Sequence, residues 1–559
     1  MKKDYHIRNF ILLIFGLIAI NFIGVQSEVQ WDWTEDNRYT LSSTTEAVLE
    51  KIDDRILIDV YLTGDFPAVF KRLEQSTRSI FNRYERMNLN LLISYENPSV
   101  GSVEEVNLRR EELAKEGLSS VRLNIPGESL ERRIYPYAAL KYGTKKVYIN
   151  LLESERSGTP NDQVINESIA LLEYKITSGL LRLFQDRKKN VLFTEGHGEL
   201  QPYETADLEQ SLRFYFNTGR VNLDSIVSIP QNIDVVVVAQ PKSSFSDREK
   251  FIIDQYIMNG GKMMFLLDPM RVDEDSLRTT GRFVATDYDL GLNDILYKYG
   301  VRLQSNLILS LENTRIPLEV GQVGGQKQFD LFPWYYYIAS IPNDNHMISR
   351  GLERVRLTYG SVIDTVATST AVTKTPLLFS GPYSRYQFNP VDIDLNIVRF
   401  EPDVSAFNHV NLPMAMLLEG QFESLYKNRV SSSMEEGLAS LGQSFQAMSK
   451  PTKIMVVSDG DIAKNEIDPR TKDIRSLGYD RYEQFTFGNK PFLLNAVEYL
   501  TGLDVVLPLR AKDLKLRLLD QQKVEAESSL WQAMNFSLPI VFFLMMSFGL
   551  NFYRKRKYQ

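Results

Sequence analysis

Apolar residues fall along this chain in three patterns, and each predicts a different kind of element. Unbroken apolar runs sit near the two ends. Residues 10–25 read FILLIFGLIAINFIGV, with Asn21 as the one strongly polar side chain, and residues 531–553 read WQAMNFSLPIVFFLMMSFGLNFY with no formal charge. Between them, short runs that alternate or are wholly apolar predict strands, and apolar residues recurring every three or four positions predict helices. Residues 56–61 (ILIDVY) and 89–95 (LNLLISY) read as strands, and residues 66–86 place Val69, Phe70, Leu73, Ile80, Phe81 and Tyr84 on one helical face. Residues 104–116 predict a charged helix stopped at Gly117, residues 121–125 and 146–151 two more strands, and residues 162–184 a helix. Together these predict a small α/β domain over residues 31–186.

A second α/β grammar begins after the basic break Arg187-Lys188-Lys189. Residues 190–194, 234–239 (DVVVVA) and 262–267 (KMMFLL) are short and almost wholly apolar, and helices are expected between them at 203–217 and 247–258, the latter closed by Gly260-Gly261. Such strands alternating with helices predict a parallel sheet covered on both faces. After Asp268 the pattern becomes irregular, with a helix at 290–300 and strands at 354–357 and 377–379. The Ser-, Gly- and Gln-rich stretch 430–449 reads as a mobile loop or linker. The grammar returns with a strand at 453–458 and a helix at 488–500. The expectation is one α/β domain over 187–510 with a long insertion at about 269–450, then a connecting helix at 511–530.

The end runs predict membrane anchors. Residues 10–25 span about 24 Å as a helix, against a hydrocarbon core of about 30 Å. No good small-x-small cleavage site follows them, which favours a retained anchor (assigned to 1–30) over a cleaved signal peptide. Residues 531–553 are long enough to span; Pro539 bends such a helix without forbidding it. Lys2, Lys3 and Arg8 precede the first run, and Arg554 to Lys557 follow the second within the basic tail 554–559. Basic flanks face the cytoplasm. The expected arrangement is an inner-membrane protein with two helices, both termini cytoplasmic and the bulk periplasmic.

Charge bears on partners. Setting aside the seven basic and one acidic residue of the two ends leaves 57 Lys/Arg against 70 Asp/Glu, a net charge of about −13 for the middle. That argues against nucleic acid as a partner, since phosphate binding needs basic surface. The chain has no cysteine, which removes disulfides, thiolate metal sites and a cysteine nucleophile. No GxxxxGK[ST] phosphate loop and no GxSxG elbow occur.

Three segments are candidate contacts. Glu195-Gly196-His197-Gly198-Glu199 follows a predicted strand, where ligands bind in parallel α/β sheets; it reads as a tight turn, a ligand or peptide contact, or a catalytic histidine. Asp459-Gly460-Asp461 also follows a strand. It is explained by a turn and helix cap, and would hold Mg²⁺ or Ca²⁺ if a third carboxylate approached. Trp334 and Tyr335, in the aromatic stretch from Phe329 to Tyr337, read equally as a binding ridge or as a core packed with rings. Gly196, Gly198, Gly260, Gly261 and Gly460 are taken as structural turn positions. No metal, cofactor or catalytic residue is assigned.

The segments RYTLSSTT (38–45), VLFTEGHGEL (191–200), DVVVVAQP (234–241), DQYIMNGGKMMFLLDP (254–269), NLPMAMLLEGQFESLYKNR (411–429) and VVSDGD…FGNKPFLLNAVEYLTG (456–502) resemble the auxiliary, so-called substrate-binding components of ABC transporters associated with gliding motility in Bacteroidetes, the GldG family. The resemblance covers nearly the whole chain. It implies a noncatalytic partner of a membrane permease, with ATP hydrolysis in a separate cytoplasmic ATPase subunit, and contacts to other cell-envelope proteins. It also implies an outer α/β domain similar to intraflagellar-transport and glutamine-amidotransferase-like folds. No catalytic residue carries over, and an amidotransferase cysteine is missing. Two other readings stay open from the residues alone: a periplasmic envelope hydrolase using His197, and a ligand-free structural scaffold.

Overall fold

The computed structural model describes residues 15–16, 40–116, 118, 120–123, 132–153, 161–440, 442–468, 470–510 and 521–558. The expected N-terminal anchor lies outside these except for Phe15 and Gly16, which are helical.

The first lobe is built on four strands: β1 (Ile56–Val60), β2 (Leu91–Tyr95), β3 (Tyr137–Tyr142) and β4 (Lys145–Asn150), in the order β2-β1-β3-β4. β1 and β2 are parallel and the rest antiparallel. Helices α1 (Ser43–Leu49), α2 (Ala68–Met87), α3 (Val103–Lys115), α4 (Asn161–Ala170) and α5 (Leu172–Leu183) complete it. α2 buries Phe70, Leu73, Ile80, Phe81 and Tyr84, the stripe read from the sequence. α3 opens with a reciprocal Ser102–Glu105 capping box, which satisfies two otherwise orphaned amides. The single helix expected over 162–184 is two. The chain turns at Leu171, so that α4 packs on α2 while α5 lies across β3 and β4. The close fit of α5 depends on Gly179, where a Cβ would come within 2.7 Å of Ile149 Cδ1.

The second lobe contains a ten-stranded sheet. Its parallel part uses β5 (Asn190–Glu195), β6 (Asn217–Asn222), β7 (Val235–Ala239), β8 (Lys262–Leu266) and, much later, β13 (Thr452–Val457). They lie side by side as β6-β5-β7-β8-β13. Side chains alternate cleanly between two cores. Val191, Phe193, Val235, Val237, Met264, Leu266, Met455 and Val457 face α6 (Ala206–Tyr215) and α9 (Asn489–Leu500). Val236, Val238, Met263, Phe265, Ile454 and Val456 face α7 (Asp247–Met258) and the helix Asn293–Tyr299. A strand covered on both faces can be apolar throughout, which is why these strands read as continuous runs.

The irregular stretch between β8 and β13 extends the same sheet. Strands β9 (Asn313–Val323), β10 (Gln326–Pro342), β11 (Val372–Phe379) and β12 (Pro413–Gly420) add to β13 in antiparallel order β13-β12-β11-β10-β9, and Val355–Thr358 pairs with β10. The segment expected to be a mobile linker contains α8 (Ser432–Ser440). Leu438 of α8 is buried against Phe251 and Tyr426, and Ser449 and Ala447 hydrogen-bond back to Phe422 and Ser424. Val430, Met434 and Phe445 pack against the same cluster, so a few apolar anchors and backbone bonds hold this otherwise polar stretch.

The last helix, α10 (Gln521–Tyr558), is continuous through Pro539. Its stretch Trp531–Arg556 is 26 residues long, apolar, and unburied throughout. At 1.5 Å per residue it is about 39 Å long, more than a hydrocarbon core of about 30 Å requires. It is the one membrane-length helix among the described residues.

Candidate functional site at the carboxyl edge of the parallel sheet

Four parallel strands end side by side, and polar groups lie within two residues of each end. β5 runs into Glu195–Glu199, β7 into Gln240, β8 into Asp268 and β13 into Asp459–Asp461. The carboxyl ends of such strands are where open α/β sheets form ligand crevices. Here the insertion walls in the crevice to make a cleft of about 1010 Å³, whose lining includes Gln240, Asp268, Asp461 and Lys464.

In the loop after β5, Gly196 (φ +115) and Gly198 (φ +78) take up left-handed conformations that disfavour side chains, and this doubles the chain back on itself. The His197 carbonyl accepts hydrogen bonds from the amides of Lys242 (2.7 Å) and Ser243 (3.0 Å). Its ring is only 6 % exposed and stacks on Phe245 at 3.8 Å. Nε2 lies 3.1 Å from Glu249, and Nδ1 lies 3.5 Å from Glu199, whose other oxygen accepts the His197 amide at 2.6 Å. Burial disfavours the charged imidazole, but the two carboxylates outweigh it and raise His197 above its ordinary value. Glu249 is also the capping-box residue of α7. His197 is thus the buried centre of an ion-paired turn, and Glu195 is exposed beside it.

The aspartates meet. Ligand oxygens of Asp268, Asp459 and Asp461 all lie within 4.8 Å of one another. Asp268 supplies the third carboxylate that the sequence could not locate. Its Oδ1 accepts the Gly460 amide (2.6 Å) and its Oδ2 accepts Gln240 Nε2 (2.8 Å). Fully buried Asp459 accepts the amides of Thr358 (2.6 Å) and Asp461 (2.8 Å). Asp461 reaches the cleft, with Lys464 Nζ 3.5 Å away. Gly460 fits between them because a Cβ there would come within 2.7 Å of Gln240. Burial first, and the Asp461 charge next, push Asp268 up to about 7; burial and the charges of Asp268 and Asp461 push Asp459 well above the carboxylate range.

The aromatic segment is interior. Trp334 and Tyr335 are 1 % and 3 % exposed, in a core with Leu307, Leu309 and Phe407, and Trp334 Nε1 hydrogen-bonds the Tyr359 hydroxyl at 3.3 Å. The binding-ridge reading is corrected for these two rings: successive strand residues point to opposite faces, and the lobe covers both. Phe329, by contrast, is 61 % exposed. Gly260 and Gly261 sit before β8, at the opposite edge of the sheet, where a Cβ on Gly261 would overlap the Tyr256 ring. Sequence reasoning passed over Gln240 and Asp268; the signal available was the polar residue ending each apolar strand.

Residues 188–496 match the family described as an ABC-type uncharacterized transport system, and residues 35–141 match a domain of unknown function. The first match spans more than half of the chain, which therefore belongs to this ABC-transport auxiliary family. Membership associates the chain with an ABC transport system. No curated protein matches it. Among solved structures, it is similar to the mmIFT52 N-terminal domain at 14 % identity and TM-score 0.29, covering 56 % of this chain and 97 % of that one. A putative ThuA-like protein from Parabacteroides merdae gives 11 % identity and TM-score 0.27, covering 57 % and 91 %. An exo-β-1,4-mannosidase from an Opitutaceae bacterium gives 9 % and 0.18, covering 76 % and 51 %.

Proposed function

We propose that this chain is a noncatalytic accessory subunit of an ABC transporter in the bacterial inner membrane. Its α10 helix packs against a permease subunit, a cytoplasmic ATPase acts through that permease, and the large α/β module binds or relays a substrate or envelope partner on the periplasmic side. Both termini are cytoplasmic in this reading, with the N-terminal run as the second anchor. The single observation that carries it is the match of residues 188–496 to a transport-system family in a chain that also bears the unburied apolar helix Trp531–Arg556. The resemblance noted from the sequence extends the proposal to gliding motility and to an amidotransferase-like module without its cysteine. The hydrolase alternative finds little support, since His197 is committed to two carboxylates and buried. The test is mild detergent extraction of the tagged protein. A permease and an ATPase at fixed stoichiometry are expected among the copurifying proteins, whereas a protein running alone sinks the proposal.

A further inference from the structure

We propose that Asp268, Asp459 and Asp461, with the Gln240 carboxamide, form a binding site for one hard divalent cation, Ca²⁺ or Mg²⁺, at the floor of the cleft. Two independent observations lead there. First, every hydrogen bond resolved to Asp268 and Asp459 is donated to them, from the amides of Gly460, Thr358 and Asp461 and from Gln240 Nε2. Acceptor-only surroundings suit carboxylates in the charged form. Yet three such groups within 4.8 Å face one close cation, Lys464, on Asp461. Ionising all three against one cation is unfavourable in so enclosed a place, and a divalent ion supplies the missing positive charge.

Second, Gln240 is 6 % exposed, and its Oε1 makes no hydrogen bond. A buried amide oxygen without a partner calls for an occupant such as a water or an ion. The carboxamide is oriented by its own Nε2, which bonds Asp268, and the side chain lies directly over Gly460, between the other two aspartates. Because Nε2 and Oε1 share one amide carbon, the unpaired oxygen lies beside the Asp268 carboxylate that Nε2 bonds. Carboxylate and carboxamide oxygens are the ligands that Ca²⁺ and Mg²⁺ prefer, with water completing the shell from the cleft side. The four residues come from loops after β7, β8 and β13, so an ion here joins three strand ends that are far apart in the chain.

The experiment uses the full chain in detergent, stripped with EDTA and dialysed. Titration with CaCl₂, and separately with MgCl₂, at physiological ionic strength is expected to show saturable binding of one ion per chain, with a melting temperature several degrees higher when the ion is in large excess over its Kd. Asp461→Asn, at the partly exposed position, should weaken binding at least tenfold, as should Asp268→Asn, while both melt in EDTA at or above the wild-type temperature because repulsion is relieved. Asp273→Asn, which lines the same cleft outside the cluster, should bind as wild type. Absence of saturable binding to the wild-type chain overturns the proposal whatever the variants do. So does undiminished binding by Asp461→Asn and Asp268→Asn, or an equal loss in Asp273→Asn, which would show diffuse attraction to an acidic cleft. The inference stands apart from the transport assignment: copurification can fail with the titration intact, and the reverse.

Discussion

Removing the charge of Glu498 should separate the energetics of the two lobes more sharply than any core truncation. Glu498 lies on α9 of the second lobe. Its carboxylate accepts Arg182 Nη2 at 2.7 Å and the Tyr174 hydroxyl, both from α5 of the first. The Arg182 and Glu498 side chains are 5 % and 4 % exposed. Arg182 also stacks over the Tyr215 ring at 4.2 Å, and its Nη1 makes no hydrogen bond, so Glu498 is its principal charged partner. Breaking a buried pair from one side costs about 3–5 kcal/mol, because the surviving charge stays desolvated. Glu498→Gln keeps the volume and leaves an oxygen for Tyr174, so the lower end, about 3 kcal/mol, is expected. Arg182→Met alone should cost a similar amount. The double variant should cost much less than the sum, with a coupling of about 2 kcal/mol. Urea unfolding of the full-length protein in detergent, followed by far-ultraviolet circular dichroism, measures all three. A Glu498→Gln loss below about 1 kcal/mol, or additive single losses, refutes the pairing argument.

Three further outcomes test other levels of the structure. Because His197 titrates above its unfolded value, its contribution is fully present below about pH 6.5 and fades as pH rises through the raised folded value. His197→Gln should therefore lower the melting temperature more in mildly acidic than in alkaline buffer, and equal losses at both would contradict the ion-paired turn. Gly179→Val should destabilise by about 1–3 kcal/mol through overpacking against Ile149, read by the urea midpoint; an unchanged midpoint would mean that α5 does not sit as described. Leu544→Arg places a charge within the apolar stretch of α10, at a cost of about 3 kcal/mol for membrane insertion. Alkaline carbonate should then release more of the chain, and full retention would tell against α10 as the anchor.

The parallel strands were legible because burial on both faces leaves no room for polar residues: VVVVA and KMMFL announce themselves. Elements at the margins were not. β6, NTGRVN, is a polar edge strand with no alternation to detect, and its first residue was absorbed into the predicted helix at 203–217. β3, YAALKY, has two small residues at its centre and a weak strand signature, although all of 137–140 is buried. The Trp334–Tyr337 run shows rings on consecutive residues, and sequence alone cannot tell a displayed strand from one enclosed on both sides. Half of the aspartate cluster was visible as a turn, Asp459 to Asp461. The other half, Gln240 and Asp268, becomes meaningful only when sheet order sets β13 beside β8, a pairing across roughly 190 residues that no local pattern encodes.

The placement of β12 beside β13 fixes what can be trimmed from this chain. The stretch between β8 and β13 looks like an appendage, but its last strand covers the flank of TKIMVV along its full length. Excising it would leave an uncharged row of main-chain donors and acceptors on a β-branched, apolar ribbon, a template for stacking one molecule on the next. A shortened form would therefore be expected to polymerise edge to edge, so the large outgrowth also serves as the guard rail of the sheet it interrupts.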